Sequence, residues 1–171
     1  LQKDKLIANA LSLHSNGNIK EASEIYDYLI QNKIYDPRIF NNLGSIYSQI
    51  KQFDKAILLF DESIKKFPNC MEAYSNIANV LVAKGRSDNA KNILNKAIEL
   101  NPKYLRSYSI MAGILVGQGN LQKAEFFLKK SLEINPKDIN ALVNLACVLK
   151  DSGNPTQAEK LLKDALKINP S

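Results

Sequence analysis

The sequence has little of the material from which catalytic and metal-binding sites are made. It contains one histidine, His14, two cysteines, Cys70 and Cys147, and no tryptophan. A single histidine leaves little for a zinc site or a Ser-His-Asp triad. Two cysteines so far apart in the chain are not a disulfide framework, and they fit either a reducing compartment or a protein indifferent to redox state. We therefore expect no enzyme activity, no metal and no other cofactor.

Long apolar runs and targeting signals are also lacking. No apolar stretch approaches the roughly 18 residues that cross a bilayer; the most apolar segment, "YSIMAGILVG" at 108–117, fits a buried helix. No signal peptide opens the chain, so we expect a cytoplasmic protein without a membrane partner. The chain begins with Leu1 and not with methionine, which suggests a fragment or a processed product that could have lost a targeting segment.

Positive charge is present in excess but is not concentrated. The net charge is +6, and successive 34-residue blocks from Lys3 carry −1, +2, +2, +2 and +1. A nucleic-acid groove needs basic residues clustered on one surface. The even spread instead predicts solvated helix surfaces, and we expect no nucleic-acid partner.

What the sequence does have is a period of 34 residues. Three residue types recur at this interval, and Lys51 stands at the one slot where glycine is missing. The recurring residues are Ala22, Ala56, Ala90, Ala124 and Ala158; Pro68, Pro102, Pro136 and Pro170; and Gly17, Gly85, Gly119 and Gly153. Such self-similarity indicates a repeat protein, with repeats at about 3–36, 37–70, 71–104, 105–138 and 139–171.

Each block predicts two amphipathic helices around a glycine turn. Tyr74, Ile77, Ala78 and Leu81 fall at i, i+3, i+4 and i+7, the spacing of one buried helical face. The turn glycine is expected to end the first helix in a left-handed conformation. A two-helix unit cannot bury both faces alone, so neighbouring units must stack. We predict an all-α solenoid that forms a single domain over 1–171.

These blocks resemble the tetratricopeptide repeat family, which has this period and a consensus of large, Leu, Gly, Tyr, Ala, Phe and Pro positions. The second block matches that consensus with Phe40, Leu43, Gly44, Tyr47, Ala56, Phe60 and Pro68. The resemblance implies a right-handed superhelix of five helix-turn-helix repeats, with the first helices on its concave side. It also implies a scaffold that binds proteins or peptides.

The resemblance further implies which residues line the concave groove. Counted from the first residue of each block, positions 2, 5, 6, 9, 12 and 13 of the first helix are expected not to pack in the hydrophobic core. The candidate groove residues are Arg38, Asn42, Ser45, Asn76, Asn79, Arg106, Ser109, Gly113 and Asn144. Positions 5 and 6 carry no cation, so the carboxylate clamp of chaperone-binding members is absent.

Position 6 instead is similar to the superhelical repeats of O-linked N-acetylglucosamine transferases, where asparagines hold an extended polypeptide by its backbone. Here Asn42, Asn76 and Asn144 would form this asparagine ladder. Geometry agrees, because packed helices lie about 8–10 Å apart and an extended chain advances about 3.3 Å per residue. One asparagine per repeat would meet every third peptide unit, and its amide both donates and accepts. The alternative is compositional bias, since 19 residues are asparagine.

The fourth repeat departs from the asparagine ladder. Ile110 replaces the asparagine, and Gly113 and Gly117 follow on the same helix. Each glycine lowers the stability of the helix by about 1 kcal/mol. One interpretation is a pocket for a ligand side chain, flanked by Arg106. The other is close packing of two helices.

The sequence thus predicts a scaffold that holds an extended polypeptide through asparagine side chains, with Arg38 and Arg106 favouring acidic or carboxylate-bearing ligands. One alternative is the substrate-recognition arm of a larger enzyme, such as a glycosyltransferase. Another is a homo-oligomeric assembly module, because the chain stops at Pro170 and Ser171 without a capping helix. The residues expected to be left uncovered there are Leu161, Leu162, Leu166 and Ile168.

Overall fold

The computed structural model describes residues 2–169, and all of the regular secondary structure in that range is helical. Each of the five predicted repeats contains two helices, which confirms the all-α fold class. The helices are α1 (Gln2–Ser15), α2 (Ile19–Gln31), α3 (Pro37–Gln49), α4 (Phe53–Lys66), α5 (Met71–Ala83), α6 (Ser87–Leu100), α7 (Leu105–Gly117), α8 (Leu121–Ile134), α9 (Ile139–Asp151) and α10 (Pro155–Ile168). Pro170 and Ser171, the last positions of the repeat pattern, lie outside the described residues.

The helices group into two compact units. The N-terminal unit runs to Lys84 and holds α1–α5, and the C-terminal unit starts at Gly85 and holds α6–α10. The boundary therefore falls in the turn of the third repeat. No helix within residues 2–169 has the length and hydropathy to cross a bilayer.

The turns inside the repeats have the predicted left-handed backbone. The φ angles are 83° at Gly17, 72° at Gly85, 71° at Gly119 and 81° at Gly153. Lys51 occupies the equivalent slot of the second repeat and has a φ of 60°. This conformation costs a residue with a Cβ atom about 1–2 kcal/mol. The turn is thus set by the repeat, and Lys51 adopts it despite its side chain.

A tyrosine at the fourth position ties consecutive repeats together within each unit. In the N-terminal unit the Tyr74 hydroxyl donates to the carbonyl oxygen of Pro68 at 3.2 Å. In the C-terminal unit the Tyr108 hydroxyl donates to the carbonyl oxygen of Pro102 at 2.8 Å. Both rings are buried, and burial raises the pKa of the Tyr74 phenol. The bond satisfies a phenol that burial would otherwise leave unpaired.

The eighth position of the first helix controls how closely the second helix approaches. A Cβ atom at Gly44 would lie 2.5 Å from the ring of Phe60, closer than two carbon atoms can come. Glycine therefore makes room for the phenylalanine between α3 and α4. The C-terminal unit has Ala112 and Leu128 at the same two repeat positions.

Candidate functional site

Position 5 of the first helix is buried in the first three repeats, contrary to the expected open groove, whereas Val143 at this position of the fifth repeat is exposed. Ile7, Asn41 and Ser75 are all buried, and the Asn41 amide nitrogen donates to the Cys70 sulfur at 3.2 Å. Cys70 is the last residue of the second repeat, so this position packs toward the end of its own repeat. Ser109, a predicted groove residue, is half-buried, and its hydroxyl donates to the Leu105 carbonyl at 3.4 Å within α7.

Position 6 carries amide groups that are accessible. Asn42 is half-buried and donates one N–H to the carbonyl oxygen of Arg38 at 2.8 Å, and within residues 2–169 its amide oxygen and second N–H have no partner. Asn76 is half-buried and Asn144 is exposed. Hydrogen bonds within residues 2–169 involve neither of these two side chains. Each therefore presents a full donor and acceptor set.

The N-terminal unit has a notch between α3, α4 and α5 that brings three predicted residues together. They are Ser45, Asn76 and Asn79, and the notch encloses about 170 Å³. Its other lining residues are Ser48, Gln49, Phe60 and Val80. We call it the N-terminal notch. Five of its seven lining residues carry a hydroxyl or amide group, and Phe60 and Val80 are apolar.

The C-terminal unit has a second notch, between α7, α8 and α9, which we call the C-terminal notch. It encloses about 180 Å³ and brings the predicted residues Gly113 and Asn144 together. The other lining residues are Ala112, Val116, Leu128, Cys147, Val148 and Asp151. A Cβ atom at Gly113 or Gly117 would meet nothing within 4 Å. Close helix packing therefore does not explain these two glycines.

The two notches use the same repeat positions. Six positions are shared, and four of them carry different residues in the two units. The corresponding pairs are Ser45 and Gly113, Ser48 and Val116, Phe60 and Leu128, Asn76 and Asn144, Asn79 and Cys147, and Val80 and Val148. The stacking of one repeat on the next creates the notch, and the local residues determine its polarity.

The two predicted arginines line neither notch, and their surroundings differ. Arg38 donates from Nε to Asp36 Oδ1 at 2.9 Å and from Nη2 to Asp36 Oδ2 at 2.8 Å. The Arg38 side chain holds the pKa of Asp36 below its usual range, against the opposing effect of burial, and the Arg38 backbone N–H adds to the lowering. Asp36 is also the N-cap of α3. Arg38 is thus engaged within the protein, whereas Arg106 is exposed and, across residues 2–169, has no ion-pair partner.

Several notch residues were not named as candidates from the sequence, among them Ser48, Val116, Val148 and Asp151. Ser48 and Val116 stand at position 12 and Asp151 at position 13, both predicted to be free of the core, whereas Val148 at position 10 was not predicted. Over the described range, no group of three or more His, Cys, Asp and Glu side chains is placed to hold a metal ion.

Three family models, each described as tetratricopeptide repeat, match the sequence. They cover residues 37–70, 69–137 and 115–171. Together the matches run without interruption from the second repeat to the end of the fifth.

A 90-residue segment is 32% identical to the probable UDP-N-acetylglucosamine–peptide N-acetylglucosaminyltransferase SEC of Arabidopsis thaliana. The match covers 51% of this chain but only 9% of that protein. It is therefore a likeness to a small part of a much longer chain.

Several solved structures share the fold. A MamA structure from Desulfovibrio magneticus superposes with a TM-score of 0.78 at 19% identity, covering 99% of this chain and 97% of that one. TTC0263, a thermophilic TPR protein of Thermus thermophilus, gives 0.78 at 18% identity, covering 99% and 92%. YrrB, described as a TPR protein with an unusual peptide-binding site, gives 0.68 at 20% identity, covering 97% and 86%.

Proposed function

Because the chain belongs to the tetratricopeptide repeat family, we propose that this scaffold for protein interaction binds its partner as an extended polypeptide. The peptide would lie on the first-helix face of each unit, where asparagine amides pair with its backbone. The observation that carries the proposal is that Asn76 and Asn144 each line a notch and bond to no group in the described chain.

The chemistry of the amide explains why asparagine suits this task. A peptide unit offers one N–H and one carbonyl whatever its side chain, and a primary amide complements both. In the N-terminal unit Asn42 and Asn76 lie on α3 and α5, which pack together. Each hydrogen bond contributes about 0.5–1.5 kcal/mol net. Binding by the amides alone would therefore be weak and tolerant of sequence.

A peptide ligand also agrees with the description of YrrB as a TPR protein with an unusual peptide-binding site. That likeness is one of fold, and the lining residues of this chain are its own. The proposed site residues are Asn42, Asn76 and Asn144 for the backbone, and Ser45, Asn79, Ser109 and Gly113 for ligand side chains. Arg106 would favour an acidic group nearby, and Arg38 could do so only by leaving Asp36.

The test is affinity for an array of unstructured peptides about a dozen residues long, enough to span several repeats in extended form. We compare the wild type with the triple variant Asn42→Ala/Asn76→Ala/Asn144→Ala. The expected loss is about 10-fold or more, from hydrogen bonds of about 0.5–1.5 kcal/mol each. Alanine is the better helix former, so the variant should remain folded.

The matched control is Asn89→Ala/Asn92→Ala/Asn95→Ala, which removes three exposed asparagines from the second helix α6. It should bind the array as the wild type does. Equal affinities for all three proteins would remove the asparagines from the account.

A second candidate function is the recognition arm of a larger enzyme that modifies proteins. The likeness to part of the Arabidopsis transferase favours it. If this chain presents substrates for O-linked transfer, the peptides that it selects should carry serine or threonine at a fixed distance from the bound segment. A selected set with no preference for a hydroxyl-bearing residue would exclude this function.

Self-association is the third candidate, favoured by exposed apolar side chains on α10. Leu162, Leu166 and Ile168 are 41%, 59% and 39% exposed, while Leu161 is half-buried. Light scattering over a range of concentrations would detect a dimer. A strict monomer at the highest concentration would exclude it.

A further inference from the structure

We infer that the C-terminal notch binds one apolar side chain of the ligand and selects a lysine or arginine two residues away from it. This deepens the proposed function and rests on it, since it names the peptides that the C-terminal unit prefers. The recognised element would be an aromatic or branched aliphatic residue, any residue, and then a cation, in either chain direction.

The size of the notch suits one side chain. It encloses about 180 Å³, and an apolar cavity of about 150 Å³ is enough to take benzene. Gly113 keeps it open, because no atom lies within 4 Å of the place where a Cβ atom would stand. A phenylalanine ring or a leucine side chain would fit this space, whereas a serine would leave most of it empty.

The lining is apolar where a ligand side chain would enter. Ala112, Val116, Leu128 and Val148 contribute only carbon atoms from their side chains. Ala112, Leu128 and Val148 are buried, while Val116 is 39% exposed and forms an open edge. An apolar side chain that covers these groups is removed from water together with them.

One carboxylate makes the notch selective for charge. Asp151 lines it, is exposed, and pairs with no cation anywhere in residues 2–169. It is the last residue of α9, where the helix dipole adds negative potential. The neighbouring Lys150 points to a different side of the helix, since adjacent helical residues do not share a face.

The spacing places the cation two residues from the apolar side chain. Asp151 lies one helical turn beyond Cys147 and Val148, and such neighbours are about 5–6 Å apart. In an extended peptide, residues i and i+2 point the same way and are separated by about 6.6 Å. A lysine or arginine at that distance would reach Asp151 while the apolar residue occupies the notch.

The N-terminal notch lacks both features. Its corresponding residues include Ser45, Ser48 and Asn79 in place of Gly113, Val116 and Cys147, and no carboxylate lines it. The preference should therefore belong to the C-terminal unit alone.

The experiment uses the full chain and the fluorescein-labelled probe GSGSFSKSGSG-amide, measured by fluorescence anisotropy. Replacing its phenylalanine by serine should weaken binding about 10-fold, since the loss of one buried apolar side chain has at least that effect. Replacing its lysine by glutamate should weaken binding by about 2- to 5-fold, the range expected of an exposed ion pair.

Protein variants assign these losses to the notch. Gly113→Leu fills it and should reduce the affinity for the phenylalanine probe to that for the serine probe. The control Asn92→Leu adds the same side chain on α6, at a repeat position where Leu58 and Phe126 are already exposed, and should change nothing. Asp151→Asn should abolish the preference for lysine over glutamate, and Glu99→Gln, which removes an exposed charge from α6, should retain it.

Cys147 gives an independent readout. It lines the notch and is exposed, whereas Cys70 lies in the other unit and is half-buried. The phenylalanine probe should slow alkylation of Cys147 by iodoacetamide, followed by mass spectrometry, without changing Cys70.

The inference is overturned if the phenylalanine probe shows no binding at millimolar concentration. It is also overturned if the wild type binds the phenylalanine probe and the serine probe with equal affinity. If that happens while the asparagine triple variant still loses affinity for the array, the inference fails and the proposed function stands. If Gly113→Leu loses affinity for the phenylalanine probe but the triple variant binds the array normally, the notch is supported and backbone binding by the asparagines is not.

Discussion

The two notches occupy equivalent places in the two units and differ in the side chains that line them. The N-terminal notch is walled by Ser45, Asn76 and Asn79, and the C-terminal notch by Gly113, Val116 and Cys147 among others. Their volumes are nearly the same, about 170 and 180 Å³. Repeat stacking therefore sets the size of the notch, and the residues at positions 9 and 12 set its chemistry.

The equal size depends on a compensation between two other positions. In the N-terminal unit a glycine faces a phenylalanine, Gly44 against Phe60. The C-terminal unit has Ala112 and Leu128 there, so one residue is larger and the other smaller. Interiors are packed closely enough that such exchanges must be made in pairs.

The largest expected effect comes from breaking that pair. Gly44→Ala should lower the free energy of unfolding by about 1–3 kcal/mol, because the new Cβ atom would overlap the Phe60 ring. Urea unfolding measures this. The double variant Gly44→Ala/Phe60→Leu recreates the pair of the C-terminal unit and should recover part of the loss. If the double variant loses more unfolding free energy than the two single variants Gly44→Ala and Phe60→Leu lose together, the two residues do not compensate each other.

The next effect concerns the difference in polarity. Val116→Ser/Cys147→Asn gives the C-terminal notch the residues of its counterpart at two positions. Affinity for the phenylalanine probe should fall by about 5- to 10-fold, because two apolar contacts become polar. Both residues are exposed, so the unfolding midpoint should stay within experimental error. Unchanged affinity would show that polarity at these positions does not control binding.

A smaller effect is expected at the one turn without glycine. Lys51→Gly should raise stability by about 0.5–1 kcal/mol, since glycine relieves the left-handed strain but loses more entropy on folding. The reverse change in the C-terminal unit, Gly119→Lys, should lower stability by a similar amount. Thermal unfolding of both variants checks the sign, and destabilisation by Lys51→Gly would contradict it.

The smallest expected effect is a pH-dependent contribution to stability from the pair of Arg38 with Asp36, which Arg106 should not make. The folded-state pKa of Asp36 is depressed by Arg38. Its stabilisation is therefore present above the unfolded value of about 3.9 and is lost as pH falls through the folded value. Asp36→Asn should cost about 0.2–1 kcal/mol at pH 7, as for other exposed ion pairs, and nothing once pH is below both values.

Arg106→Gln is the comparison for this titration, because Arg106 has no ion-pair partner within residues 2–169. Urea unfolding from pH 7 to pH 3 should give parallel curves for Arg106→Gln and the wild type. A pH-independent cost of Asp36→Asn would show that the carboxylate charge does not stabilise α3.

Much of the fold follows from the 34-residue period, because each block repeats the same turn and the same buried faces. Even the exception was visible, since Lys51 adopts the left-handed backbone that the glycine slot requires. The site was harder to predict. Asn41 is buried against Cys70 at a position expected to be open. The periodicity of one helix does not predict which of its residues are buried by the segment that ends the same repeat.

Gly113 illustrates the remaining limit. A glycine in a helix is compatible with close packing and with an open pocket, and only the positions of the neighbouring side chains distinguish them. Asp151 stands at position 13, which was predicted to be free of the core, but its place beside the notch depends on how α9 packs against α7 and α8.

The central claim is that asparagine amides hold the backbone of an extended peptide. The direct measurement is the affinity of the tightest-binding array peptide and of its N-methylated counterpart, with alternate backbone N–H groups blocked. We predict that methylation weakens binding to the wild type about 10-fold, as expected for the loss of one or more hydrogen bonds, and has little effect on binding to Asn42→Ala/Asn76→Ala/Asn144→Ala. The same fold-loss in both proteins, or no loss in the wild type, would contradict the account.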